Sequence, residues 1–279
     1  MIYLTHTGGR RLSIGGGVVT LPEVVAPPVS GGSVAWVVSQ DANNVLSIAE
    51  TGDTGASQMA ADVVNELGYS ITEIQDSAFL ADIAGTFAAY DLVIIASFNQ
   101  YMTAQQQSDF LAAVSGGGKC VIFRDNEFDG SGRDAADAAD AMGFDTVLRI
   151  QAGQDQFDGA SNPTYTTPAG CVLGAGLLIQ GEGTSPWVLE SPYTGPLTNI
   201  QVWVEHWDQT PGNTTGTSYT GQWIAIATAD YNQGEFIILN DRQYWINFNN
   251  GSYYNKPGYD NKTFVLNTIR YGVTGQSQA

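Results

Sequence analysis

The feature that most constrains this chain is a series of short, almost wholly apolar runs that alternate with segments of helical spacing between residues 33 and 150. Val34–Ser39 reads VAWVVS, Asp91–Ser97 reads DLVIIAS and Lys119–Phe123 reads KCVIF. A strand that is apolar on both faces must be covered on both, which calls for a parallel sheet between two layers of helices. The helices are legible between the runs. Ser57–Leu67 carries Met59, Val63, Val64 and Leu67 at helical spacing and stops at Gly68. Thr103 is placed to cap a helix over Ala104–Val114, which ends at Gly116-Gly117-Gly118. Ser70–Ile74 reads as a short strand, Asp134–Met142 as a helix and Thr146–Ile150 as a fifth parallel strand. The expected fold is therefore α/β, a flavodoxin-like doubly wound, mostly parallel sheet.

On either side the pattern changes. Residues 151–222 are rich in Gly, Pro, Thr and Asn, with short β-type runs at Cys171–Leu173, Leu177–Ile179 and Gln201–Glu205. They read as a β-rich, loop-rich extension of the domain. Gln222–Ala227 and Glu235–Leu239 then form a hairpin-like pair around Tyr231-Asn232-Gln233-Gly234, and Lys262–Tyr271 a closing helix. The α/β domain spans 33–275, with a tail at 276–279. Residues 1–32 form an extended N-terminal arm with two β-type runs, Ile2–Thr7 and Val18–Leu21. Ala26-Pro27-Pro28 and Gly31-Gly32 join this arm to the domain. It is too short to bury a core, so the expectation is that it gains order by adding strands to a partner, beside the plainer reading of a disordered tail. Its anchoring residues would be Ile2, Tyr3, Leu4, Arg10, Arg11, Val18 and Val19.

Charge narrows the partners. Ten Lys and Arg stand against 28 Asp and Glu, a formal net charge of -18. Such a field repels phosphate backbones, so no nucleic acid is expected. No apolar run approaches the roughly 20 residues needed to span a bilayer, so no membrane insertion is expected either. The start, MIYLTHTGGRR, lacks the order of a secretory leader. Only 14% of residues are charged and 33 of 279 are Gly, a surface common in extracellular and assembled structural proteins. Two cysteines, Cys120 and Cys171, are too few for a disulfide framework or a Cys-ligated zinc site.

Four stretches carry a family resemblance: YDLVIIAS at 90–97, GGGKCVIF at 116–123, GQWIAIATADYNQGEFIILND at 221–241 and DNKTFVLNTIRYGVTG at 260–275. Together they resemble class I glutamine amidotransferase-like domains, nearest the trehalose-utilisation-protein-like branch. The resemblance covers about residues 33–275, apart from much of 151–222, and implies the same α/β architecture. It also implies a nucleophilic cysteine on a tight turn after Lys119–Phe123 and a later His-Glu pair. Here that turn reads Arg124-Asp125-Asn126-Glu127, and Gly234–Asp241 holds no histidine. Cys120 sits within the strand, where packing rather than reactivity is expected. Glutaminase chemistry therefore has no support, and no catalytic residue is assigned.

Two stretches stand out for binding. Asp125, Glu127 and Asp129, followed by Gly130, match the first half of a calcium loop at the carboxyl end of a predicted strand. The twelfth position is Ala136, so an EF-hand is excluded and only an irregular Ca2+ site remains open, beside the plainer reading of a solvated acidic turn. No other cofactor is expected. Asp134, Asp137 and Asp140 recur along one side of a short helix, as on a solvated face. The run VWVEHW holds Trp203, His206 and Trp207. Aromatics beside carboxylates can stack on sugars or anchor an interface, while the same alternation suits a half-buried strand.

The functional expectation is a non-enzymatic virion structural protein, a phage capsid decoration or tail-associated chain. It would be anchored to other virion proteins through residues 1–32 and would present an acidic α/β domain, with a host-surface glycan as a further partner. The alternative is a carbohydrate-binding or carbohydrate-processing protein with a degenerate amidotransferase-like site. A cytoplasmic location, as a homo-oligomer, is the alternative to the virion.

Overall fold

The computed structural model describes residues 11–14, 17–20, 31–39, 46–49, 56–97, 102–123, 147–152, 164–181, 187–205, 221–240, 243–248 and 251–276. At its centre five strands run parallel: β3 (Ser33–Val38), β4 (Ser70–Gln75), β5 (Leu92–Ile95), β6 (Lys119–Phe123) and β13 (Gly234–Leu239). Their order in space is β4-β3-β5-β6-β13, or 2-1-3-4-5 in chain order, the flavodoxin-like arrangement expected from the sequence.

Helices cover both faces. On one lie α1 (Ser57–Asp62), continued by one π-helical turn over Val63–Leu67, and the C-terminal helix α5 (Asn261–Thr274). Their Met59, Val63, Phe264, Val265 and Ile269 pack on Val34, Trp36, Ile94, Val121 and Ile237. On the other lie α2 (Asp76–Ala81), α3 (Ile83–Ala89) and α4 (Ala104–Ser115). Phe79, Ile83, Phe110 and Val114 there pack on Ala35, Val37, Val93, Ile122 and Phe236. Alternate residues of each strand feed opposite cores, so the strand sequences must be apolar throughout. Each large side chain so buried contributes about 1.5–3 kcal/mol. α4 begins with the expected cap: the Thr103 hydroxyl accepts from Gln106 N, and the Gln106 side chain accepts from Thr103 N at 2.9 Å.

The fifth parallel strand is a correction. Thr146–Ile150 does not supply it. Among the described residues there, the strand is Ile150–Ala152, β7, and it pairs antiparallel with β10 (Trp187–Glu190). The place beside β6 is taken by β13, the second arm of the late hairpin. Its partner β12 (Gly221–Tyr231) turns back through Asn232, whose φ of 54° suits a tight two-residue turn. β12 is long enough to serve three strands. β11 (Thr198–Glu205) sets Glu205 against Ile224 on one side, while β10 sets Trp187 against the same residue on the other. The Trp187 indole nitrogen donates to Leu239 O at 2.9 Å, so β10 continues the line of β13. These antiparallel strands are the β-rich extension. Cys171–Leu173 is a turn rather than a strand, and the neighbouring pair is β8 (Thr164–Thr166) with β9 (Leu178–Gln180). β14 (Asn247–Phe248) and β15 (Gly251–Ser252) form a last small hairpin.

Of the arm, β1 (Arg11–Ile14) and β2 (Gly17–Thr20) are described. They pair antiparallel as a two-stranded sheet of their own, with Leu12 opposite Val19 and Arg11 opposite Thr20. The run Ile2–Thr7 and the helix expected over Asp134–Met142 lie outside the described residues.

Candidate functional site

In an open α/β sheet, ligands bind beyond the carboxyl ends of the strands where the strand order reverses. Here that point lies between β3 and β5. The sequence ends both strands alike, with one serine after a run of apolar residues: Ser39 after VAWVV and Ser97 after LVIIA. Ser39 and Ser97 are only 3% and 6% exposed. Ser39 N donates to Ser97 Oγ at 2.8 Å, and the two hydroxyls are 3.2 Å apart. Ser97 N in turn donates to Val37 O, which fixes the two strand ends together.

Asn240 ends β13 at the same edge and is fully buried. Its backbone N–H donates to Ala225 O, and its side-chain oxygen accepts from the Tyr244 hydroxyl at 2.8 Å. That bond holds the 3-10 turn Gln243–Trp245 against the strand ends. Trp245 follows, wholly buried, with its ring 6.0 Å from Trp36 of β3 and 5.3 Å, edge to face, from Phe123 of β6. Those two strands flank β5, and Ala96, just past the end of β5, belongs to the same buried cluster as Trp245.

The indole nitrogens separate Trp245 from Trp36, Trp187 and Trp203. Trp36 donates to Leu46 O at 2.8 Å, Trp187 to Leu239 O and Trp203 to Thr228 Oγ1 at 3.1 Å. Trp245 Nε1 is buried and has no acceptor among the described residues. A donor left in that state costs about 1–3 kcal/mol. The carboxylate of Glu73 on β4 is held by Ser47 Oγ at 2.9 Å and Ile48 N at 2.8 Å. Lysines are engaged elsewhere: Lys262 with Asp62 and Glu66, Lys256 over the rings of Tyr253 and Tyr259.

A depression of about 560 Å³ lies at the opposite edge, lined by Phe87, Tyr90, Asp91, Lys119 and Gly116–Gly118. The backbone N–H groups of those glycines are already bonded to Ala112, Val114 and Ala113 carbonyls, so they offer nothing to an anion.

The residues singled out from the sequence are dispersed. Asp125, Glu127, Asp129, His206, Trp207, Ile2, Tyr3, Leu4 and Arg10 lie outside the described residues. Arg11 is in β1, and Val18 and Val19 are in β2. Trp203 lies on the edge strand β11, half-buried against the core. Cys120 is enclosed within β6, and burial pushes its thiol far above the ordinary range, which keeps it protonated. Cys171 is buried as well, and burial raises its thiol. The switch-point serines and Trp245 were not singled out. The shared ending of VAWVVS and DLVIIAS was the available signal for the serines; nothing in sequence marks one tryptophan as lacking an acceptor.

No protein-family model matches the sequence, and neither does any curated protein. Solved structures do match in fold. A ThuA-like protein from Bacteroides uniformis aligns with a TM-score of 0.52 at 12% identity, over 88% of this chain and 92% of that one. The mmIFT52 N-terminal domain aligns with a TM-score of 0.53 at 10% identity, over 90% of this chain and all of the other. At such identity the likeness is one of fold. It agrees with the architecture that the amidotransferase-like resemblance implied, and among the described residues no helix is long and apolar enough to cross a membrane.

Proposed function

We propose that this chain is a non-catalytic structural protein of a phage particle, held by its N-terminal segment and presenting an acidic α/β domain, as capsid decoration or tail component. The observation that carries the reading is the separate β1–β2 ribbon, which shares no strand pairing with the nine-stranded sheet. An isolated two-stranded ribbon is marginal in water and gains stability from a third strand, so it is suited to completing a sheet on a partner. Charge divides at the same place. Residues 1–32 hold Arg10 and Arg11 against Glu23, a net +1, which leaves -19 for the remainder of a chain whose total is -18. A domain of that sign stays soluble and repels its neighbours, while the arm does not share the repulsion.

The enclosed Cys120 accords with a role that needs no nucleophile. The test is quantitative mass spectrometry of purified particles from the source culture, with full-length chain and with residues 1–32 deleted. A fixed ratio to the major capsid protein, lost on deletion, is the expected result. Its absence from particles would overturn the virion role, and retention of the deleted chain would overturn the anchoring.

A further inference from the structure

We infer that the outer edge of β4 is an interaction surface for a second copy of this chain, which adds its β1–β2 ribbon there as the next strands of the sheet. The inference holds wherever the protein resides, because the ribbon has two open edges and this pairing uses one of them.

β4 ends the nine-stranded sheet, with β3 as its one strand neighbour among the described residues. Ser70 N donates to Gly32 O, on the β3 side. Peptide groups alternate in direction along a strand, so Ile71 and Glu73 turn their N–H and C=O away from the sheet. Among the described residues neither has a backbone partner there. The other edges are blunted: β7, at the far end, has three residues, and β11 breaks register with β12 at three points. β4 instead pairs six residues in unbroken register with β3 and holds no Lys or Pro. Its one charge, Glu73, is bound by Ser47 and Ile48. Ile71 and Ile74 are half-buried, one on each face of the sheet. Val64, at 51% the most exposed large apolar residue among those described, stands on the turn leading into β4.

The ribbon supplies what this edge lacks. It is a two-stranded sheet that gains stability from a third strand, and β1 and β2 read RLSI and GVVT, with Arg11 as their one charge. The signs match too, since residues 1–32 carry a net +1 and the remainder -19. The chain enters β3 at Ser33, opposite Ser70 of β4, and the twelve residues between β2 and β3 can span at most about 40 Å. Within one chain the ribbon and β4 share no pairing. Exchange between two copies satisfies both β4 edges at once and closes as a two-fold dimer.

The test is analytical ultracentrifugation of the full chain over a range of concentrations, joined to amide exchange and methyl spectra by nuclear magnetic resonance. The expected result is a monomer–dimer equilibrium in which the Ile71 and Glu73 amides exchange about a hundredfold more slowly as dimer forms. In a mixture of two preparations, one methyl-labelled at isoleucine and the other at valine, cross-relaxation should join Ile71 or Ile74 of one copy to Val18 or Val19 of the other. Ile71→Pro removes an outward donor without touching the pairing with β3, and should weaken dimerisation about tenfold. A chain that stays monomeric would overturn the proposal. So would amides protected in the monomer, which would put the ribbon on its own β4, or a dimer whose Ile71 and Glu73 amides exchange freely. The deciding readouts use the wild-type chain, so an Ile71→Pro variant that failed to fold would leave the test intact. None of them involves a particle, so a negative result here leaves the proposed virion role standing.

Discussion

Lys262 Nζ, in the first turn of α5, stands 2.8 Å from Asp62 Oδ2, at the junction where α1 passes into its π-helical turn. The same ammonium reaches Glu66 at 2.7 Å, and the Asp62 side chain, 10% exposed, also accepts from Tyr254 OH at 3.1 Å. One cation thus ties α5 to α1.

Lys262→Met should therefore destabilise the fold although the residue is partly solvated. Glu66 is half exposed and its share is small, but Asp62 would remain enclosed with only neutral donors. A loss of about 1–2 kcal/mol is expected, read as a lower urea midpoint at unchanged m-value. The loss should shrink in high salt. A midpoint equal to wild type would mean that water already compensates Asp62.

Tyr254 gives a prediction in the alkaline range. Burial and then the neighbouring Asp62 charge raise its phenol far above the usual value. A group whose pKa is raised by folding supplies stability that is complete below its unfolded pKa, near 10, and is lost as pH climbs toward the folded value. Stability should thus fall above about pH 10 as unfolded chains ionise first. Tyr254→Phe should flatten that fall. Thermal melts from pH 8 to 11 on both proteins decide it, and parallel curves would refute the assignment.

Glu235 shows the same sign at low pH. Burial raises its carboxyl, an effect countered in part by the Tyr271 hydroxyl donating to it at 2.5 Å and by Lys119. Its ionised form is the disfavoured one, so its contribution is complete in acid and declines as pH rises through the raised pKa. Glu235→Gln keeps an acceptor for Tyr271 and removes the charge. The variant should match or exceed wild type at pH 7, with the difference vanishing toward pH 4. A deficit at pH 7 would show instead that the Lys119 attraction dominates.

Gly234→Ala tests the entry of β13 into the sheet. A Cβ there would collide with the Val114 and Gly118 carbonyl oxygens, both of them backbone. Neither can swing aside, because Gly118 O also accepts from Glu235 N and Val114 O from Gly117 N. A loss on the order of 3 kcal/mol is expected, seen as a large drop in Tm. The neighbouring Asn232→Gly, at a positive φ, should be nearly neutral by comparison.

The parallel half of the fold was legible because VAWVV, LVII and CVI are apolar on both faces, which leaves a covered strand as the only economical state. The fifth strand was misplaced for a physical reason. Thr146–Ile150 and Gly234–Leu239 have the same local character, and adjacency in sequence favoured the nearer one. What decides is non-local: β13 comes with β12, whose eleven residues also pair β10 and β11. α2 and α3 escaped notice because each is barely two turns long. At the candidate site, the serines carried a signal in the common ending of their strands, while the state of the Trp245 indole arises only from tertiary packing.

The placement of β13 also bears on how the chain is born. When residues up to Phe123 have left the ribosome, β6 is an open, apolar edge, and its neighbour is not made until residues 234–239 emerge. Residues 124–233 must be synthesised in between. During that interval the growing polypeptide offers a ready template for unwanted strand addition, and chains cut short anywhere in it would carry the hazard permanently. Synthesis speed through this stretch, rather than the stability of the finished molecule, should then govern how much of the protein a cell recovers intact.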